Sequence, residues 1–173
     1  SFDGQDDYVD ISTSSSLDNI STELTVSAWI NPSNLSNGVH PRIVDRAEGS
    51  GGVNDRWYLT WSPTGTVDFG VGFAGSGNEC LGNSTVALNN WTNISVIFNS
   101  GQVSIFINGI LDASATISTT SLSHIQNCNL KIGSAPISSF FPGKIDNVRL
   151  WNTALTQQEI QSYMTTSPTG NEA

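Results

Sequence analysis

The sequence predicts an all-β protein in which two antiparallel sheets pack face to face, with one short helix near the C-terminus. Short runs of β-branched and aromatic residues recur along the chain, and Gly-, Pro- and Asn-containing turns separate them. Several runs alternate apolar and polar side chains, as strands do when one face meets a core and the other meets solvent. Many strands followed by one terminal helix are typical of a two-sheet sandwich.

The alternation is clearest where Val103, Ile105 and Ile107 share one face of a run. The dipeptide Asn108-Gly109 follows this run directly, which favours a two-residue hairpin turn. The same reasoning predicts strands at 8–11, 24–30, 42–45, 56–61, 66–73, 92–98, 103–107, 130–132 and 144–151.

One segment near the C-terminus has helical spacing. Thr156 and Glu159 have the spacing of a capping box, and Ile160, Tyr163 and Met164 follow at positions that share one helix face. The polar residues after them predict a linker or frayed end. We therefore expect one domain at residues 1–164 and a polar tail at 165–173.

Composition excludes several classes of protein. The chain has 173 residues, 15 acidic and 6 basic, for a net charge of -9, and only 12% are charged. Helical bundles and coiled coils need more charged helix formers than this. Nucleic acids and anionic membranes select basic surfaces, so neither is an expected partner, and no apolar run approaches the ~20 residues that cross a bilayer.

The two cysteines, Cys80 and Cys128, are too few for a zinc site and too far apart for a CxxC motif. A surface rich in Ser, Thr and Asn indicates an exported protein, where a disulfide would close this long loop and contribute about 4 kcal/mol. We predict that disulfide, with two buried thiols as the alternative. Since the chain opens directly on folded-looking sequence, we expect a mature or excised domain, secreted or on the cell surface.

Segments from the whole length of the chain resemble one family. They are SFDGQDDYV at 1–9, TVSAWI at 25–30, the run led by Trp91 with its hairpin at 103–109, LKIG at 130–133, FPGKIDNVRLWN at 141–152 and ALT at 154–156. Together and in this order they resemble laminin-G-like domains of the concanavalin A-like jelly-roll family. The resemblance implies a jelly roll in which Trp29 and Trp91 lie in the core. It also implies a mostly non-catalytic domain of exported multidomain proteins that binds glycans or proteins, often with structural calcium.

Calcium is expected where the first and last strands of such jelly rolls meet, and the matching positions are Asp3, Gly4 and Asp146. Asp146 has the parity of Val148 and Leu150, so the sequence predicts an inward carboxylate. A buried carboxylate needs a partner, and Ca²⁺ prefers oxygen ligands. A salt bridge or bonds from backbone N–H groups would serve equally well. Asp6 and Asp7 are read as turn residues that could add ligands.

The expected ligand site lies between residues 37 and 61. This region holds half of the chain's basic residues, and Trp57, Leu59 and Trp61 share a face that we assign to the core, which leaves Tyr58 as the exposed aromatic. A Gly-rich loop at 48–56 could bend over a ligand, or be only a solvated connection. A second candidate rim spans 75–82. The predicted ligand-binding residues are Arg42, Arg46, Asn54, Asp55, Arg56 and Tyr58.

Catalysis is not expected. Glycosidases of this fold place two acidic residues two or four apart on one strand, and no predicted strand carries such a pair. We therefore predict a non-catalytic, lectin-like module of a larger polypeptide that binds a polysaccharide or glycoconjugate through edge loops. An acidic ligand remains compatible if it docks on the arginine-rich segment. The alternatives are a protein-interaction or spacer domain of an adhesin and, less favoured, a polysaccharide hydrolase or lyase.

Overall fold

The computed structural model describes residues 1–35, 39–47, 56–72, 77–122, 125, 127–135 and 139–167, with the backbone alone at 47 and 56. Within these residues, twelve strands form two six-stranded antiparallel sheets, and a short helix lies near the C-terminus. The predicted two-sheet sandwich with one C-terminal helix is confirmed.

The strands are β1 (Phe2–Asp3), β2 (Val9–Ile11), β3 (Glu23–Pro32), β4 (Arg42–Ala47), β5 (Arg56–Trp61), β6 (Val67–Val71), β7 (Glu79–Leu81), β8 (Thr92–Asn99), β9 (Gln102–Ile107), β10 (Ile110–Thr116), β11 (Leu130–Ile132) and β12 (Pro142–Trp151). The first sheet has the order β1-β12-β3-β8-β9-β10, and the second has the order β2-β11-β4-β5-β6-β7. Two helices flank the sheets, α1 (Ser15–Asp18) and α2 (Gln157–Tyr163).

Each of the nine predicted runs overlaps a strand. The hairpin after β9 is also confirmed, because Asn108 and Gly109 have φ of 50° and 71°, as a type I′ turn requires. The alternation of side chains did not identify β1, β7, β10 or α1. In β10 both Ile110 and Leu111 are exposed and a bulge interrupts the pairing, so the strand shows no clear alternation.

The core lies between the sheets, as predicted from β5. Trp57, Leu59 and Trp61 are each 0% exposed and face the apolar residues of the first sheet. The expectation that Trp29 and Trp91 are also core residues is wrong. Trp29 is half-buried between the fully buried Ala28 and Ile30 of β3, so it lies on the outer face, and Trp91 is 41% exposed.

The capping box of α2 is confirmed. The Thr156 hydroxyl accepts from the Glu159 backbone N–H at 3.3 Å, and the Glu159 carboxylate accepts from the Thr156 N–H at 2.6 Å. Ile160 packs with Phe106 and Leu155 in a small apolar cluster outside the first sheet. The helix therefore covers part of the outer face of that sheet.

Arg46 is not a surface cation. It pairs with Trp57 in register, so it lies on the inner face of β4, where it is 1% exposed. One of its guanidinium nitrogens donates to the Leu17 carbonyl at 2.6 Å, and the other forms a salt bridge with Asp18. Arg46 therefore holds α1 against the second sheet, and the prediction that it binds a ligand does not fit this position.

The predicted disulfide is not formed. Cys80 and Cys128 are buried thiols, 1% and 2% exposed. Cys80 lies in β7 and Cys128 just before β11, and three strands lie between β7 and β11 in the sheet. At the usual interstrand spacing the two chains are about 19 Å apart, far beyond the reach of a disulfide.

Replacement of Asp18 by Asn is expected to destabilise the fold by about 3 kcal/mol, because the buried Arg46 guanidinium would lose its countercharge. Chemical denaturation measures this change. Asp146→Asn is the matched control, since Asp146 is exposed and its replacement should change stability by less than about 0.5 kcal/mol. Equal effects of the two variants would contradict a structural role for the Arg46–Asp18 pair.

Reducing agent is expected to leave the melting temperature unchanged, whereas a disulfide closing this loop would contribute about 4 kcal/mol. Burial raises the pKa of the Cys80 thiol to about 11, so the reactive thiolate is scarce at neutral pH. Alkylation should therefore be slow in the folded protein and complete after unfolding. A melting temperature that falls on reduction would contradict this arrangement of the cysteines.

Candidate functional site

A β-bulge in β4 brings two opposite charges onto the outer face of the second sheet. Arg42 pairs with Thr60 and Val44 pairs with Leu59, so β4 has one extra residue at this point. Arg42 and Asp45, three residues apart, therefore share the outer face. The Arg42 Nε atom lies 3.0 Å from Asp45 Oδ2, and both side chains are buried.

Two rows of mostly polar residues cross this outer face, because directly opposite residues of paired strands point to the same side. The first row crosses all six strands and is made of Asp10, Lys131, Asp45, Tyr58, Gly70 and Glu79. The second, next to it, is made of Arg42, Thr60, Asp68 and Leu81. At the far end of the first row, Lys131 forms a salt bridge with Asp10 at 3.3 Å.

Tyr58 lies on the predicted face but is not exposed. It is 1% exposed, its hydroxyl donates to Glu79, and the Arg42 guanidinium lies 4.1 Å from the centre of its ring. A Cβ atom at Gly70 would come within 2.4 Å of the ring, so the glycine provides the space that the ring occupies. The prediction of an exposed aromatic is therefore wrong, and Tyr58 forms part of the wall of a cleft.

That wall belongs to a cleft of about 580 Å³ at the end of the second sheet, near the turn between β5 and β6. Ser62, Thr64 and Thr66 line it with hydroxyl groups, and the Ser62 oxygen lies 2.7 and 2.8 Å from the oxygens of the two threonines. The remaining lining residues are His40, Arg42, Tyr58, Thr60, Pro63, Asp68, Glu79, Leu81 and Gly82.

Asp68 is the most buried acidic group of the cleft, at 6% exposed. Its Oδ1 atom accepts from the Gly82 N–H at 3.1 Å and from the Thr66 hydroxyl at 3.2 Å. Burial raises the pKa of Asp68, and these two hydrogen bonds oppose that rise. Of the charges nearby, His40 favours the ionised carboxylate and Glu79 opposes it.

The predicted ligand set is thus only partly brought together. Arg42 and Tyr58 both line the cleft, whereas Arg46 lies on the opposite face of the sheet. Asn54 and Asp55 lie outside the described residues, and at 56 only the backbone is described.

Sequence reasoning missed Asp68, Thr60 and His40 as cleft residues. A signal for Asp68 was present, because it stands between the apolar Val67 and Phe69 and so had to face outwards. Glu79 comes from the second candidate rim. The search for paired acids within one strand missed that Asp68 and Glu79 reach one cleft from neighbouring strands.

The cleft combines the wall of an aromatic ring with hydroxyl and carboxylate groups, which can donate to and accept from a polyhydroxylated ligand. Among the described residues, His40 makes no hydrogen bond to a cleft hydroxyl, so no Ser–His or Thr–His nucleophile is assembled there. The arrangement suits reversible binding.

The residues predicted to hold calcium do not converge. A bulge in β12 between Asp146 and Arg149 breaks the assumed alternation, so Asp146 pairs with the outward-facing Trp29 and is exposed rather than inward. Asp3 pairs with Pro142, about 13 Å along the strand from Asp146. The acidic oxygens that do lie within 4.8 Å of one another belong to the exposed Asp3, Asp6 and Asp7.

Neither helix in the described part of the chain is long and apolar enough to cross a membrane.

Solved structures with the same fold include carbohydrate-binding domains. The carbohydrate-binding module CBM40 of the Ruminococcus gnavus IT-sialidase, bound to α2,3-sialyllactose, has a TM-score of 0.71 at 14% identity, covering 91% of this chain and 96% of the other. Domain 4 of AbnA, an extracellular GH43 arabinanase from Geobacillus stearothermophilus in complex with arabinotriose, has a TM-score of 0.62 at 21% identity. That match covers 82% of this chain and 66% of the arabinanase domain.

A SAP-like pentraxin from Limulus polyphemus also matches, with a TM-score of 0.70 at 14% identity over 95% of this chain and 80% of the other. At these identities the likeness concerns the fold. No curated protein sequence matches the chain. The laminin G family model described as the concanavalin A-like lectin/glucanases superfamily matches residues 3–161, and the chain belongs to that superfamily.

Proposed function

We propose that this domain is a non-catalytic carbohydrate-binding module and that the cleft on the second sheet is its binding site. The observation that carries the proposal is the convergence of Tyr58, Asp68, Glu79 and a set of hydroxyl groups on one outward-facing cleft. The site differs from the edge loops that the sequence favoured. The solved structures of this fold that hold sialyllactose and arabinotriose support a glycan as the ligand class.

The chemistry of the cleft suits a sugar. Each sugar hydroxyl both donates and accepts, and the threonine and serine hydroxyls of the wall can do the same. The carboxylates of Asp68 and Glu79 accept from sugar hydroxyls, and charged acceptors form the stronger bonds. A volume of about 580 Å³ lies within the usual range for small-ligand sites.

We further propose that the domain works outside the cell as part of a larger protein. The arabinanase whose domain 4 shares this fold is extracellular, and that match concerns one domain of a larger chain. The low content of charged residues and the abundance of small polar ones agree with an exported module.

Titration calorimetry following a glycan array is expected to detect saturable binding that depends on the cleft. Leu81 is 61% exposed at the cleft edge, so Leu81→Trp should fill the cleft and weaken binding about tenfold or more without disturbing the core. Ile110→Trp is the matched control, because Ile110 is a similarly exposed strand residue, 67%, on the first sheet.

Equal affinities of the two tryptophan variants would place the sugar site elsewhere on the domain. Failure of the folded protein to bind any glycan would remove the proposed function. Release of shorter sugars during the titration would contradict the non-catalytic proposal and implicate Asp68 and Glu79 as an acid pair.

From the family resemblance we also propose a bound calcium ion, with Asp3, Asp6 and Asp7 as its ligands. Asp146 is not among them. Calcium at a hundred times its dissociation constant would stabilise the fold by about 2.7 kcal/mol, and a chelator would reverse the effect. Thermal unfolding with and without calcium measures this, and Asp3→Asn should abolish the shift while Asp146→Asn keeps it. The same melting temperature in calcium and chelator would contradict the proposal.

A protein-interaction or spacer domain is the second candidate. Edge strand β2 and the residue before it expose three large apolar side chains, namely Tyr8 at 51%, Val9 at 46% and Ile11 at 38%. An exposed apolar edge strand can pair with a strand of another chain. This function would be favoured if the folded protein bound no glycan.

A further inference from the structure

A second cavity lies between α1 and the C-terminal end of β12. Its volume is about 440 Å³, and it shares no lining residue with the cleft. Because β1 pairs with β12 only at Pro142 and Gly143, the later residues of β12 have one neighbour among the described strands, which is β3. None of the residues from 144 to 151 is buried. This part of β12 is therefore an open edge of the first sheet, and the cavity lies at its end.

The walls of this cavity are held in place by contacts outside it. On one side, the buried Arg46 donates to the Leu17 carbonyl and pairs with Asp18, which holds α1 against the second sheet. On the other side, the Trp151 ring stacks on Tyr163 of α2, with 5.3 Å between the ring centres. A ligand therefore meets walls that are already ordered, which lowers the entropic cost of binding.

The polar groups of the cavity are neutral and free to bond to a ligand. Asn19 and Asn152 are exposed residues of the lining, and neither side-chain amide has a hydrogen-bond partner among the described residues. Each amide has two N–H donors and a carbonyl acceptor, so it can both donate to and accept from a hydroxyl group. The Ser16 hydroxyl adds a third such group to the lining.

The rest of the lining is apolar and carries no charge. It consists of Leu17, Ile20, Leu150 and the half-buried Trp151, and no described residue of the lining is ionisable. Asp18, which lies between two lining residues along the chain, is paired with Arg46. Such a lining suits a neutral ligand with one apolar face and several hydroxyl groups, whereas a charged ligand would lose water without gaining a countercharge.

We propose that this cavity is a second sugar-binding site and that it takes a neutral sugar unit. The C–H face of the sugar ring packs on Leu150 and Trp151, and its hydroxyl groups bond to the amides of Asn19 and Asn152. The inference takes its ligand class from the proposed function, but the site is distinct from the cleft. With two sites the domain can hold one polysaccharide at two points or link two chains, which raises its avidity.

Titration calorimetry of the Leu81→Trp protein isolates the cavity, because the new tryptophan fills the cleft. The probes are glucose, galactose and mannose, each compared with its uronic acid. We expect at least one neutral hexose to bind and its uronic acid to bind about tenfold more weakly, since the lining offers no countercharge. Added salt should leave the affinity for the neutral sugar unchanged, because no ion pair contributes to it.

Variants of the two asparagines assign this binding to the cavity. Asn152→Trp in the same background should fill the cavity and weaken binding about tenfold or more. Asn90→Trp is the matched control, because Asn90 is also an exposed asparagine in a bend but does not line the cavity. Asn19→Ala and Asn152→Ala each remove one amide and should weaken binding about fivefold, with little change in melting temperature.

The outcomes separate the inference from the proposed function. Equal affinities of the Asn152→Trp and Asn90→Trp proteins would overturn the inference, as would tighter binding of N-acetyl-leucine amide than of any neutral hexose. Sugar binding that Leu81→Trp abolishes would also overturn it and leave the cleft as the binding site. Binding that Asn152→Trp abolishes and Leu81→Trp does not would support the inference and contradict the assignment of the cleft.

Discussion

The alternation of side chains along β5 is the constraint on which the rest of the structure depends. Trp57, Leu59 and Trp61 fill the space between the sheets, and a strand that buries these three must turn Tyr58 and Thr60 to the other side. A register shift by one residue would place two indole rings in solvent, so the pairing of β5 with both neighbours is fixed. The same alternation therefore places Tyr58 and Thr60 in the polar cleft on the outer face of β5.

The alternation along β5 explains which features of the fold and the cleft could be predicted from the sequence. The inward face of β5, the hairpin at Asn108 and the capped helix α2 follow from local patterns that the fold does not override. The outward direction of Tyr58 follows as well, but its burial does not. That burial depends on Gly70 from β6 and Arg42 from β4, which no local pattern in β5 reveals.

Two of the errors involve bulges, because one extra residue reverses every later assignment of a face. The bulge in β12 turns Asp146 outwards, so this residue does not supply the inward carboxylate that the sequence predicts. The bulge in β4 also turns a side chain outwards, since it places Arg42 beside Asp45 on the outer face, where the two charges form a salt bridge. The prediction of a disulfide failed for a different reason, because the order of strands in a sheet cannot be inferred from local sequence patterns.

The absence of a side chain at Gly70 determines the shape of the cleft wall. The ring of Tyr58 occupies the space that a Cβ atom at Gly70 would need, so the position of the ring in the cleft wall depends on the glycine. A residue with a side chain at position 70 would displace the Tyr58 ring from Glu79 and change the shape of the wall. The inward-facing core residues of β5 and β6 would stay in place. The shape of the cleft and the packing of the core are therefore determined on opposite faces of the same two strands.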